Sequence, residues 1–271
     1  MSHFSVLVCT DDNTSVDGLL EPFDENKTVE KYISQTKKEF IDTEREHLKK
    51  YYSNHYLKYL EDKEKYEEEN KDNKGHLIYI SEIFPKVYAM TDEELYDYLI
   101  GEYEYDLDTD GNILSTYNPL SKWDWYVEGG RFSGLLKLKE TGKCVDSANA
   151  QEVDFSLDEE SFTDAIRFWE VCIEGQEPLT DREREYRLIY KKEYFIDRYG
   201  TKEEYARRMG SFSTWAVLTP DGKWHEPGQM GWFGCSSASE EDEKKFFKEY
   251  PKFIEEAVKN NWCLTVVDCH I

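Results

Sequence analysis

The chain has 271 residues, with 34 Lys and Arg against 58 Asp and Glu, giving a formal charge of −24 at pH 7. That balance excludes ordinary capture of a nucleic-acid backbone, which needs clustered cations to displace counterions, and it disfavours docking on an anionic membrane. An apolar share of 39% beside 34% charged residues points towards disorder, but 20 Tyr, 14 Phe and 7 Trp supply burial surface that a disordered chain lacks, so a folded, very acidic protein is expected.

From the N-terminus, Phe4–Cys9 is a β-branched run with the length of a buried strand. Thr36-Lys-Lys-Glu39 is a capping-box pattern, in which the threonine and glutamate side chains satisfy orphan backbone groups, and it predicts a helix from there to about Glu69. The end of that helix, Glu61 to Asp72, is almost wholly charged and reads as a solvated face. Leu77–Ile80 has the length of a strand, and Thr91-Asp-Glu-Glu94 opens a second helix over 92–103. Asp110-Gly111 signals a turn. The stretch Asp106-Leu-Asp108-Thr-Asp110-Gly111 begins like a calcium loop, but its twelfth position is Tyr117 rather than a bidentate Glu.

Gly134–Glu140 alternates apolar and polar residues as a strand does, and Phe162, Ile166, Trp169 and Ile173 recur at helical spacing over 158–174. Capping boxes at Thr180–Glu183 and Thr201–Glu204 predict helices near 181–199 and 202–209. Phe212–Thr219 and Lys223–Glu226 flank Pro-Asp221-Gly222 as a hairpin, Ser239–Asn260 is helical with Pro251 a potential kink, and Cys263–Cys269 is a last strand.

Strands at both ends and in the middle, with helical blocks between them, define an α+β fold. The expected architecture is a single domain over 1–271. Its central sheet contains the N- and C-terminal strands and carries packed helices, with helical insertions at about 36–72 and 180–210. No export signal is read in the first ten residues, and no apolar stretch approaches a membrane span. The six cysteines form no CxxC pair and fit no zinc spacing, so they read as reduced thiols, with neither a metal nor another cofactor expected.

Two segments could carry chemistry. In the first, Trp123, Asp124 and Trp125 precede Gly129-Gly130-Arg131: the indoles offer a stacking face, the glycines allow close backbone approach, and Arg131 offers a fork for phosphate or carboxylate. In the second, glycines bracket Met230 and Trp232. Asp146 is placed as a wall of the same cavity. The bland alternative is that the indoles fill the core and Arg131 pairs with an acid such as Asp124. His225 beside the hairpin reads as a surface or packed residue. In Asp268-Cys269-His270, the cysteine and histidine point to opposite faces of a strand and do not form a catalytic pair.

Seven blocks together resemble a group of phage and prophage proteins: Ser2–Val8, Leu20–Asn26, Asn118–Arg131, Asp146–Ala148, Gly222-Lys-Trp224, Met230–Gly234 and Leu264–Ile271. The resemblance implies a setting, the cytoplasm of an infected bacterium, and no mechanism. Two functions are therefore expected as alternatives. One is an accessory protein that binds and interferes with a host antiviral-defence component carrying a basic surface, by imitating nucleic acid through its dense carboxylates, without itself binding nucleic acid or membrane. The other is a nucleotide- or small-molecule-binding protein, or an enzyme, using the Trp/Gly/Arg pocket. The oligomeric state is left open.

Overall fold

The structure is a computed structural model that describes every residue except Met1 and Tyr103, and every remaining side chain except that of Trp232. The protein has the expected α+β class, and its chain is arranged as two compact units, residues 1–27 with 118–271 and residues 28–117. The helical insertion read over 36–72 thus lies inside a longer unit.

Among the described residues the strands are β1 (His3–Thr10), β2 (Tyr32–Gln35), β3 (Ile113–Ser115), β4 (Trp125–Glu128), β5 (Leu136–Lys137), β6 (Cys144–Val145), β7 (Ser147–Asn149), β8 (Ala216–Leu218), β9 (Trp224–His225) and β10 (Cys263–His270). The larger unit is built on a six-stranded mixed sheet with the order β4-β10-β1-β8-β9, β7 also pairing with β10. The two terminal strands are its centre. They run antiparallel over their whole length, from His3 opposite His270 to Thr10 opposite Cys263, while β8 lies parallel to β1.

The pleat divides β1 into two apolar faces. Phe4, Val6 and Val8 join Ala216, Leu218, Val267 and Cys269 on one side, under Leu20, Phe23, Trp123 and Met230. Leu7 and Cys9 join Val217, Leu264 and Val266 on the other, under Phe246, Tyr250 and Ala257 of the Glu240–Asn260 helix. Val6, Val8, Leu218 and Val267 are fully sealed, each contributing about 1.5–3 kcal/mol relative to exposure. The C-terminal helix runs through Pro251, and its amphipathic pattern lays Phe246, Tyr250 and Ala257 on the sheet.

On the outer edge of β10, the chain departs and returns at a single residue. Gly129 N donates to the Val266 carbonyl at 2.8 Å, and Val266 N donates to the Asp146 carbonyl at 2.9 Å. Residues 129–146 are an excursion between β4 and β7, containing the short β5–β6 pair where a longer strand over 134–140 was expected.

The smaller unit is mostly helical. The predicted capping box at Thr36 is formed, Thr36 N and Oγ1 both bonding Glu39, and opens the Lys37–Tyr51 helix. The helix does not run unbroken to 69. A π-turn occupies Tyr52–Tyr56, and Asp62 breaks the chain between short helices, capping the second. The charged stretch 61–72 is exposed apart from Tyr66 and Asn70, as a solvated face should be. Leu77–Ile80 is helical rather than a strand; Ile80 and Leu77 pack on Tyr59 and Tyr66, and a four-residue apolar run has no periodicity long enough to separate the two.

The expected helix over 181–199 is also interrupted. Helical turns form at Asp181–Arg184 and Lys192–Tyr199 only. Between them polar contacts hold the chain: Tyr186 Oη donates to the distant Asp164 at 2.6 Å, and Arg187 Nη1 donates locally to the Arg184 and Tyr186 carbonyls.

Candidate functional site

Where β1 begins and β10 ends, the sheet face that is apolar further along turns polar. On a strand, residues two apart share a face, so Asp268 and His270 project together, beside His3 and Ser5 from their register partners. His3 Nδ1 lies 2.8 Å from Asp268 Oδ1, and His270 Nδ1 lies 2.7 Å from Asp124 Oδ1. The two imidazoles meet edge to face with centroids 4.9 Å apart. β4 adds Trp125 opposite His270; its indole stacks on that ring at 4.8 Å and 16° and touches His3 edge-on at 5.3 Å.

The burial is graded. Asp268 is 2% exposed and His270 5%, whereas Trp125 is 44% exposed. An Nδ1–H donated to a carboxylate leaves Nε2 as the acceptor of a neutral imidazole. Among the described residues neither Nε2 has a hydrogen-bond partner, and neither is sealed; the sealed, unpartnered side-chain polar atoms are the indole nitrogens of Trp123 and Trp215. Each Nε2 therefore keeps a small opening to solvent beside the Trp125 indole, the His3 and His270 side chains being 12% and 6% exposed.

The Gly129-Gly130 turn closes the site from below. Asp268 Oδ2 accepts the Arg131 backbone N–H at 2.9 Å, so this carboxylate is held from two sides. Gly130 has φ +52°, and a Cβ there would stand 2.6 Å from Asp268 Cβ, so the turn must be glycine for the backbone to approach the carboxylate this closely. The Arg131 side chain is exposed, and among the described residues it makes no ion pair.

The candidate residues read from the sequence separate into three groups. Asp124 and Trp125 are part of the histidine cluster, with Gly129, Gly130 and Arg131 as its turn. Trp123 and Met230 are brought together, but in the apolar core with Phe4 and Phe23, at 7% and 9% exposure. Asp146 is a loop staple: its carboxylate accepts from Gly134 N at 2.6 Å and Ser133 Oγ at 3.1 Å and packs on Gly129. The Trp232 side chain lies outside the described residues. The backbone of its loop is tied to the start of β1, Ser2 Oγ donating to the Gly231 carbonyl at 2.9 Å and accepting from Gly234 N at 2.6 Å.

His3, Asp268 and His270 escaped the reading of the sequence as site residues. The signal that marks them is the i, i+2 spacing of Asp268 and His270, which puts both on one strand face; Cys269 between them sits on the opposite face in the core, where burial pushes its thiol far above the ordinary range. His225 is packed, its ring 4.8 Å from that of Phe253. Among the described residues no group of three or more His, Cys, Asp or Glu side chains is placed to hold a metal ion, and no helix is long and apolar enough to cross a membrane. No family model matches the chain, and neither a curated protein nor a solved structure does.

Proposed function

We propose that the His3–His270 pair is a general acid–base site acting on a phosphodiester of nucleotide size. The observation that carries this reading is the pair of imidazoles 4.9 Å apart, each anchored at Nδ1 by its own carboxylate and each with an Nε2 that, among the described residues, has no hydrogen-bond partner and is not sealed. With one imidazole neutral and the other protonated, the neutral Nε2 takes the proton of an attacking water as its oxygen bonds to phosphorus. The protonated Nε2 gives its proton to the alkoxide as the P–O bond breaks. The two rings exchange protonation states and the product is a phosphate monoester. Positioned proton transfer of this kind supplies about 10²–10⁴-fold per group. Trp125 offers a stacking face to a base, and the exposed Arg131, which makes no ion pair among the described residues, a fork to phosphate oxygens.

The test is hydrolysis of 2′,3′-cyclic nucleotides and of bis(4-nitrophenyl) phosphate in the presence of a chelator. Turnover with a bell-shaped pH profile, reduced at least 100-fold in both His3→Gln and His270→Gln at retained melting temperature, is the expected result. No turnover of either probe, or turnover that survives both substitutions, overturns the reading.

The charge of −24 favours a second reading: an accessory protein of an infected bacterial cytoplasm that occupies the basic groove of a host defence component. Its attraction to such a partner must weaken as added salt shortens the screening length from about 8 Å to about 3 Å. Capture of a host partner whose affinity is unchanged between low and high salt would remove it.

A further inference from the structure

A cavity of about 800 Å³ in the larger unit shares no residue with the histidine site. It opens between the Lys202–Gly210 and Glu240–Asn260 helices, with Phe155, Phe212, Phe247 and Ile254 among its apolar walls. In a chain of net charge −24, five cations line it (Arg198, Arg207, Arg208, Lys244 and Lys248) against four carboxylates (Glu204, Glu240, Glu243 and Glu255). One of those carboxylates is already matched, Glu243 being ion-paired to Arg198.

Arg208 is the unusual member. Its guanidinium carbon lies over the Phe247 ring, 3.3 Å from the centroid, and Nη1 donates to Ser213 Oγ at 2.5 Å. Among the described residues no carboxylate pairs with it. Burial depresses its pKa in spite of Glu243 and Tyr199 nearby, as desolvation of an unpaired cation requires. A guanidinium has five donors, and among the described residues one hydroxyl and an aromatic face leave most of them without a hydrogen-bond partner on a side chain that lines the cavity. Arg207 and Lys248 likewise make no ion pair among the described residues. A desolvated cation without a counter-ion, set in an apolar cavity large enough for a small ligand, is a subsite for the missing anion.

We propose that this cavity binds a small amphipathic anion, its acidic head on Arg208 and its apolar body between Phe155, Phe212 and Phe247. The probe is 1-anilinonaphthalene-8-sulfonate, titrated by fluorescence into the intact protein. Its neutral analogue N-phenyl-1-naphthylamine, which has the same rings without the sulfonate, is the control. The expected result is one saturable site per chain whose affinity for the sulfonate falls at least 10-fold in Arg208→Gln, while affinity for the neutral analogue changes less than 2-fold. The double variant Arg207→Gln/Lys248→Gln, which keeps Arg208 and its Phe247 contact, should weaken the sulfonate by a smaller factor at unchanged melting temperature, and it serves as the test if Arg208→Gln does not fold. Displacement by decanoate assigns an aliphatic body to the ligand, and displacement by 1-naphthyl phosphate an aromatic one. Absence of saturable binding, equal affinity for the neutral analogue, displacement by neither competitor, or sulfonate affinity unaffected by the cation substitutions overturns the proposal.

Discussion

His3 and His270 are register partners on adjacent antiparallel strands, and their rings meet edge to face at 4.9 Å. Their supports differ. The carboxylate behind His3 is Asp268, whose side chain is 2% exposed, whereas the one behind His270 is Asp124, 27% exposed. Water can replace a lost partner at Asp124 and cannot readily do so at Asp268.

That asymmetry predicts unequal costs. His3→Ala removes a hydrogen bond from a buried carboxylate that keeps only the Arg131 N–H, and a bond of this charged kind contributes about 1.5–3 kcal/mol. Asp124→Ala strands the Nδ1–H of His270, whose side chain is 6% exposed but whose lost donor is neutral and whose ring stays stacked on Trp125, and should cost about 1 kcal/mol, less than stranding a buried carboxylate. Urea denaturation of the two variants checks the order; a larger loss for Asp124→Ala would show that the charge of the stranded group does not set the hierarchy.

The turn below the site predicts a coupled pair. Gly129 sits at φ +68° and ψ −73°, the strained region of a classic γ-turn, and a Cβ there would lie 2.4 Å from Asp146 Oδ2. Gly129→Ala therefore both strains the backbone, by about 1–3 kcal/mol, and expels the Asp146 carboxylate from its bonds to Ser133 and Gly134. Asp146→Ala clears the clash but forfeits the same bonds. The double variant should be more stable than the sum of the single losses allows, with a coupling of about 0.5–3 kcal/mol, measurable in a double-mutant cycle. Strict additivity would mean that the steric contact does not decide the cost.

Acid should weaken the larger unit through His225. Burial against Phe253 lowers its pKa, outweighing Asp221 and Glu256, which raise it. A histidine whose folded pKa lies below its unfolded value of about 6.5 contributes its full stabilisation above that value, and loses it as pH falls through the folded pKa, because the unfolded chain binds the proton more readily. Melting temperature should fall below pH 6.5 in the wild type and fall less in His225→Phe, which keeps the ring and removes the titration. Parallel curves for the two proteins would place the acid sensitivity elsewhere.

Much of the frame was legible because it is local. The β-branched runs at 4–9 and 263–269 read directly as strands, and Thr36, Thr91, Thr180 and Thr201 each start a helical turn where their i+3 glutamate said they would. What failed depends on distant partners. The helix begun at Thr180 stops after Arg184, where Glu183 is bound to Arg167 and Tyr186 reaches Asp164, contacts that no window of sequence displays. The site failed for the same reason. His3 and Asp268 are 265 residues apart, and only the register of β1 on β10 makes them neighbours. Trp123 and Trp125 look equivalent in sequence, yet one is buried in the core and the other exposed over His270, since Trp125 begins β4 whereas Trp123 lies before it, bridged to Asp24.

Arg131 separates a ligand-binding role from a structural one. Its backbone N–H holds Asp268 at 2.9 Å, and any residue except proline supplies that bond. Its side chain is exposed and, among the described residues, pairs with no carboxylate, Asp124 being held by His270 instead. Arg131→Ala should therefore change stability by no more than about 0.5 kcal/mol, the range of a surface substitution. If the guanidinium grips a phosphate oxygen of the substrate, the same change should lower kcat/KM on 2′,3′-cyclic nucleotides about 10–100-fold, the equivalent of a charged hydrogen bond at 1.4 kcal/mol per decade. Arg131→Lys keeps the charge but loses the fork, and should fall between the two. A melting temperature reduced by many degrees in Arg131→Ala would assign the side chain a structural partner. An unchanged kcat/KM at unchanged stability would leave the imidazole pair to act without it and place the phosphate elsewhere on the Trp125 face.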